Sequence, residues 1–390
     1  MIPELEPFAV DPLILKPLRE AKFTPLQVTA LGTVVAAIGV VWSSASAHLF
    51  WWTAGSGTVG DDLTLFVLRR PAHEVNPSMP YLRDYPSMVL TAMVVAAVCL
   101  VYALYHGAAV LHGDLERSRC VKGGDEVSRA ELAAKVHRVN ERLRSWGKFS
   151  PLALVAAIGF TLLTNLSLQS GLFGFLGSGL YDNWWASLYP LRPGGVVWVV
   201  FGGIGIYMVY AEAVLGLTYV NFLRRLREPQ DYKFRANELN PDGFFGWRRL
   251  RQLITNMQAG AVCTLLSAWA FSFFLEPATG PIATIAVLGV FIGIVTYVYV
   301  SVNGNFRRQV RRDVEAKMAE VAQEIDEYDQ QNLDRLDAQH LLRTLVAYRR
   351  LDLISKIPST PIRQSWLLAG VVSLLGTVAG VVVPLVQYFM

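Results

Sequence analysis

The chain has 390 residues, 53% of them hydrophobic and only 17% charged, against about 25% charged in soluble domains. Its formal net charge of +4 is small, and three cysteines without an evident pairing pattern argue against a disulfide framework. These values exclude an ordinary soluble enzyme and point to an all-α protein of the membrane.

Apolar runs of about 20 residues, the length that crosses ~30 Å of hydrocarbon, fall at 27–50, 88–111, 151–170, 196–222, 254–275, 281–303 and 365–388. The expected fold is therefore seven transmembrane helices with a helical cytoplasmic layer. Residues 1–26 form a cytoplasmic N-terminal segment, and 27–111 carry helices one and two. A helical loop, 112–150, leads to helices three and four in 151–222. The loop 223–253 precedes helices five and six in 254–303. A cytoplasmic helical region, 304–364, precedes the last helix in 365–390. Between helices three and four, "FGFLGSGL" (173–180) is too short to span and reads as a re-entrant or interfacial piece.

Basic residues orient the spans. All 35 Lys and Arg fall on one side except Arg69, Arg70, Arg83 and Arg192. The N-terminus is thus expected in the cytoplasm and the C-terminus outside, in a cell inner membrane. Ala45 and Ala47 mimic a cleavage site, but Glu4, Glu6, Asp11 and Glu20 make a poor signal-peptide start. Trp51, Trp52, Trp184 and Trp185 are expected at the outer boundary, and Trp146, Trp247 and Trp366 at the inner one.

Several cytoplasmic stretches carry structural signals. Leu132, Val136, Val139 and Leu143 form a helical stripe in 127–146, with Ser128 and Glu131 spaced as a capping box. Segment 306–353 reads as a helix running out of the sixth span and then a helical hairpin. Phe244, Phe245 and Trp247 beside Arg248 and Arg249 suit an interfacial anchor. Basic runs against apolar spans imply anionic lipid at the cytoplasmic face and not nucleic acid. The chain contains no P-loop, GxGxxG, GxSxG or HExxH motif, so enzymatic activity is not expected.

One formal charge interrupts the run from Gly194 to Phe222: Glu212. A carboxylate in the membrane centre costs roughly 2.5–3.5 kcal/mol on insertion scales, and such residues turn inward. At ~1.5 Å rise per residue, Glu212 lies roughly 15 Å deep and His106 roughly 8 Å, about one water apart in height. Tyr105, Tyr210 and Asn165 add polar groups, which together define a candidate intramembrane site. Gly202, Gly203, Gly205, Gly289 and Gly293 favour close helix approach. Glu212 is then either a hydrogen-bonded lock or a group that binds a cation or relays protons. His48 and His106 lie at different depths, and His106 and His112 point apart on a regular helix, so no haem, metal or other cofactor is expected.

Two stretches, "ELNPDGFFGWRRL" (Glu238–Leu250) and "LISKIPSTPI" (Leu353–Ile362), followed by a last helix with the late Pro384, resemble a group of bacterial multi-span proteins. The seven-span plan, with a last span ending "VVVPLVQYF", is similar to that of insect gustatory and odorant receptors. That resemblance implies a homo-oligomeric cation channel whose last span lines the pore, here with Thr377, Pro384 and Gln387. Tyr388 interrupts the family's ending, and Thr377 is not followed by Tyr. The expected function is a homo-oligomeric ion channel or sensor-channel. The alternatives are a scaffold or accessory subunit of a larger membrane complex, and a secondary transporter.

Overall fold

The computed structural model describes residues 12–50, 78–117, 121–122, 126–170, 183–225, 233–234, 248–279, 281–331 and 338–355. These residues are overwhelmingly helical. In chain order they form α1 (Lys16–Glu20), α2 (Pro25–Ser46), β1 (Ser78–Met79), a 3-10 turn (Tyr81–Arg83) and α3 (Tyr85–Arg117). Next come β2 (Val121–Lys122), α4 (Glu126–Lys148), α5 (Ser150–Ser170), β3 (Asn183–Trp184) and α6 (Pro193–Arg225). The order closes with β4 (Lys233–Phe234), α7 (Arg248–Thr279), α8 (Pro281–Gln331) and α9 (Ala338–Ser355).

Five helical stretches are long and apolar enough to cross a bilayer: Pro25–Ser46, Tyr85–Leu111, Ser150–Gln169, Pro193–Thr218 and Arg248–Leu275. They correspond to the first five predicted spans. The sixth, 281–303, is the first part of the 51-residue α8, which runs on to Gln331 before α9 packs back against it. The seventh lies outside the described residues, as does 173–180.

Local chemistry sets the helix ends. Thr24 caps α2 through a reciprocal bond pair with Gln27, and Pro25 occupies the first helical turn, where its missing N–H costs nothing. The other end of α2 closes with His48 at φ 56°, while the Leu49 amide returns to the Ser44 carbonyl at 2.9 Å, satisfying carbonyls the helix leaves open. Ser128, predicted as a cap, instead sits inside α4, which starts at Glu126.

Packing centres on α3, α6 and α7. The largest helix contact is α3 with α7, and α6 touches α2, α3, α4, α5, α7 and α8. Close approach of α5 to α6 depends on Gly203: a Cβ there would lie 2.6 Å from Ile158 Cγ1. Thr161 Oγ1 crosses the same seam to donate to the Val199 carbonyl at 2.9 Å.

The two ends of the bundle are built differently. At the end carrying the basic loops, residues 12–24 are fastened to the spans. The Leu13 amide donates to the Tyr207 hydroxyl at 2.9 Å, which also bonds Ser150 Oγ. Tyr102 donates to the Phe23 carbonyl at 2.5 Å. Leu15 is buried in the main core with Leu104, Leu111 and Met208. At the far end, β1 and β3 pair in parallel, Ser78 opposite Asn183 and Met79 opposite Trp184, and close a second core of Trp184, Trp185, Trp198 and Phe274.

Candidate functional site

Glu212 sits on α6 and turns its carboxyl onto α7. The α7 residue it meets is Gly260, where an added Cβ would overlap the carboxyl, 2.5 Å from its carbon. One helical turn along the same face, Thr264 Oγ1 donates to Glu212 Oε2 at 3.4 Å, a long bond for a hydroxyl donor. Gly260 and Thr264 lie near the middle of the apolar stretch Arg248–Leu275. Beside them, the buried Tyr105 of α3 donates to the Ala211 carbonyl at 3.0 Å. The side chain of Glu212 is half-buried. Among the described residues, the Thr264 hydroxyl is its hydrogen-bond donor, and no Lys, Arg or His pairs with it.

The other predicted site residues do not join this group. His106 does not lie level with Glu212: its neighbour Gly107 faces Leu253 of α7, whereas Glu212 faces Gly260; it is exposed and stacks on Tyr102 with ring centroids 6.3 Å apart. Tyr210 donates to the Trp146 carbonyl at 3.1 Å, tying α6 to the end of α4. Asn165 is buried near the far end, where its amide donates to the Ala186 carbonyl at 3.0 Å. Thr377, Pro384 and Gln387 lie outside the described residues. The site thus contracts to Glu212, Gly260 and Thr264, with Tyr105 fixing the adjacent backbone.

A second buried carboxyl, Asp84, carries a much denser network that sequence reasoning missed. Asp84 precedes α3, and its Oδ1 accepts from the Ser87 amide at 3.1 Å, as an N-cap does. Its Oδ2 accepts from Ser87 Oγ at 2.6 Å, Trp184 Nε1 at 2.7 Å and Trp185 Nε1 at 2.8 Å. Trp198 Nε1 in turn donates to Ser87 Oγ at 3.2 Å. Asp84 is fully buried. Burial pushes its carboxyl up from the ordinary value of 3.8, while Ser87, Trp184 and Trp185 pull it back. Trp184 and Trp185, predicted to face the membrane boundary, are in fact 0% and 1% exposed. The signal available in the sequence was the "DYPS" helix start together with the "WW" doublet, two features about a hundred residues apart.

Gln169 secures the same loop. Its Oε1 accepts from the amides of Leu188 at 3.1 Å and Tyr189 at 2.7 Å, and its Nε2 donates to Asn165 Oδ1 at 3.1 Å. Asn165, Gln169 and Asp84 therefore pin residues 183–189 to α5 and α3.

Among the described residues, no three His, Cys, Asp or Glu side chains converge as a metal site would require. Chemically, Glu212 can exchange a proton or coordinate a monovalent cation together with the Thr264 hydroxyl. Asp84 already accepts four hydrogen bonds, three of them on Oδ2.

A helical bundle with five bilayer-length apolar helices and charged helical extensions is the architecture of an integral membrane protein of the α-helical class. Compared with protein-family models, with curated proteins and with solved structures, the chain matches none.

Proposed function

We propose that the chain is a seven-span inner-membrane protein that conducts cations as an assembly of identical copies, with Glu212 as the group that holds the passing cation or proton. The observation that supports this reading is the contrast between the half-buried Glu212 and the fully buried Asp84. A carboxylate kept only to lock helices is served by several short donors, because an unsatisfied buried polar group is costly. Asp84 has four such bonds. Glu212 has one at 3.4 Å and a glycine that makes room for it. Among the described residues, its remaining acceptor capacity meets no further donor. Ion flux through liposomes reconstituted with wild type and with Glu212→Gln tests this.

One observation favours a second reading, an accessory subunit of a larger membrane complex. α9 exposes Leu342 at 65%, Leu345 at 61% and Val346 at 51%, an i, i+3, i+4 apolar stripe of the kind partner helices bind. Wild-type protein that carries no flux and co-purifies with stoichiometric partner subunits would establish it instead.

A further inference from the structure

α2 and α5 fit the hydrocarbon layer with little to spare. They have 22 and 21 residues, about 33 and 31 Å by helical rise, against a core of ~30 Å. Both start at the end that carries the basic loops, and their far ends converge on one loop. Leu49, just past α2, packs in the core of Trp184 and Trp185. Gln169 of α5 accepts from the Leu188 and Tyr189 amides. A Cβ at Gly195, near the start of α6, would lie 2.5 Å from the Ser187 carbonyl oxygen.

α3, α6 and α7 are longer, with 33, 33 and 32 residues, and run on past the starts of α2 and α5. Their contacts locate the crossing. On α6, the Tyr207 hydroxyl bonds Ser150 at the start of α5, and Tyr210 donates to the carbonyl of Trp146, which precedes α5. On α3, Tyr102 donates to the Phe23 carbonyl, just before α2. On α7, Leu253 lies against Gly107 of α3. Gly260, seven residues nearer the far end, is therefore level with about residue 100, next to Tyr102. Glu212 comes two residues after Tyr210, faces Gly260 and lies about 29 Å along α6 from Pro193. All of these measures bring it to the plane where α2 and α5 begin. Counted from Phe222, the end of the apolar run, it would be roughly 15 Å deep, but the last turns of that run lie beyond the starts of α2 and α5.

We propose that Glu212 is a site at the aqueous boundary, which takes its proton or monovalent cation directly from water at the basic end and not from the bilayer midplane. Its half-burial fits a group at such an edge. The far end, by contrast, is closed by the buried core of Trp184, Trp185, Trp198 and Phe274. The identity of the ligand rests on the reading above; the position of the carboxyl does not.

Two labellings of the full chain, in sealed vesicles of either orientation, test this. The first uses a membrane-impermeant carbodiimide with glycine ethyl ester and reads the modified peptides by mass spectrometry. Glu212 should be modified when the basic end faces the reagent, and at least tenfold less when the far end does. Asp84 should be modified in neither case. The second places one cysteine at a time in a chain whose Cys99, Cys120 and Cys263 are replaced by Ser. Leu217 and Leu163 are both exposed. Leu217→Cys, five residues past Glu212, should react with a membrane-impermeant maleimide from the basic end. Leu163→Cys, about 20 Å into α5, should react from neither side. An unreactive Leu217→Cys would overturn the proposal. So would modification of Glu212 only from the far end, only by a lipid-soluble carbodiimide, or not at all. Labelling needs no flux, so wild type that labels as expected but conducts nothing refutes conduction alone.

Discussion

The carboxyl of Glu212 occupies the space that a side chain at position 260 would fill. The two positions therefore constrain each other: α7 needs glycine there because α6 brings a carboxyl, and the carboxyl reaches Thr264 because α7 has glycine. Gly260→Ala must displace either the carboxyl or the helix, at about 1–3 kcal/mol for overpacking. Adding Glu212→Ala vacates the space. The double variant should recover most of the loss, read as unfolding in detergent through a double-mutant cycle. Strictly additive costs would mean that the two residues do not touch.

Asp84 sets a pH dependence of stability. Its folded-state value is raised above the ordinary 3.8 by burial. Between those two values the folded chain keeps a proton that the unfolded chain has lost. Stability therefore falls as pH rises across that window and levels off above it. The slope should be present in wild type and absent in Asp84→Asn. Trp184 and Trp185 donate to this carboxyl, so wild-type indole emission should shift in the same window. A slope of the same size in Asp84→Asn would assign the effect to another group.

Removing the acceptor altogether has a larger effect. Asp84→Ala removes the acceptor of two buried indole N–H groups and of the Ser87 hydroxyl, at roughly 1–3 kcal/mol for each buried donor left unsatisfied. Thermal unfolding should show Asp84→Ala far less stable than Asp84→Asn, which keeps one acceptor oxygen. Equal stabilities would remove the cage from the account.

Gln169 holds the loop 183–189 through two backbone amides. Gln169→Leu leaves both without that acceptor, and hydrogen exchange at Leu188 and Tyr189 should accelerate at least tenfold. Gln169→Glu retains the acceptor and should stay close to wild type. Unchanged exchange in Gln169→Leu would show that the loop is held by other means.

Five of the predicted spans were legible because bilayer length is written directly in runs of apolar residues. Glu212 was legible for the same reason, as the one charge in such a run. Its partners were not. Rise per residue gives only a coarse height along a helix, and it says nothing about rotation, which leaves His106 exposed and turns Tyr105 inward. Gly260 carries no chemistry that a sequence pattern registers, since its role is an absence of atoms. Asp84 was hidden because it lies just outside a span, and its donors come from a loop a hundred residues away. The tryptophans that bond it were read as boundary markers, since local composition does not distinguish an indole turned to lipid from one turned to a buried carboxylate.

The central claim is that Glu212 exchanges a cation or proton and does not merely hold α6 to α7. Glu212→Gln retains the side-chain size and one carbonyl acceptor for Thr264, so the bundle should assemble as before, with unfolding in detergent close to that of wild type. The decisive measurement is cation and proton flux into liposomes carrying equal amounts of wild type or Glu212→Gln, under imposed gradients. The account predicts flux from wild type and at least a tenfold loss in the assembled variant. Equal flux from both would return Glu212 to packing, and no wild-type flux under any gradient would contradict conduction altogether.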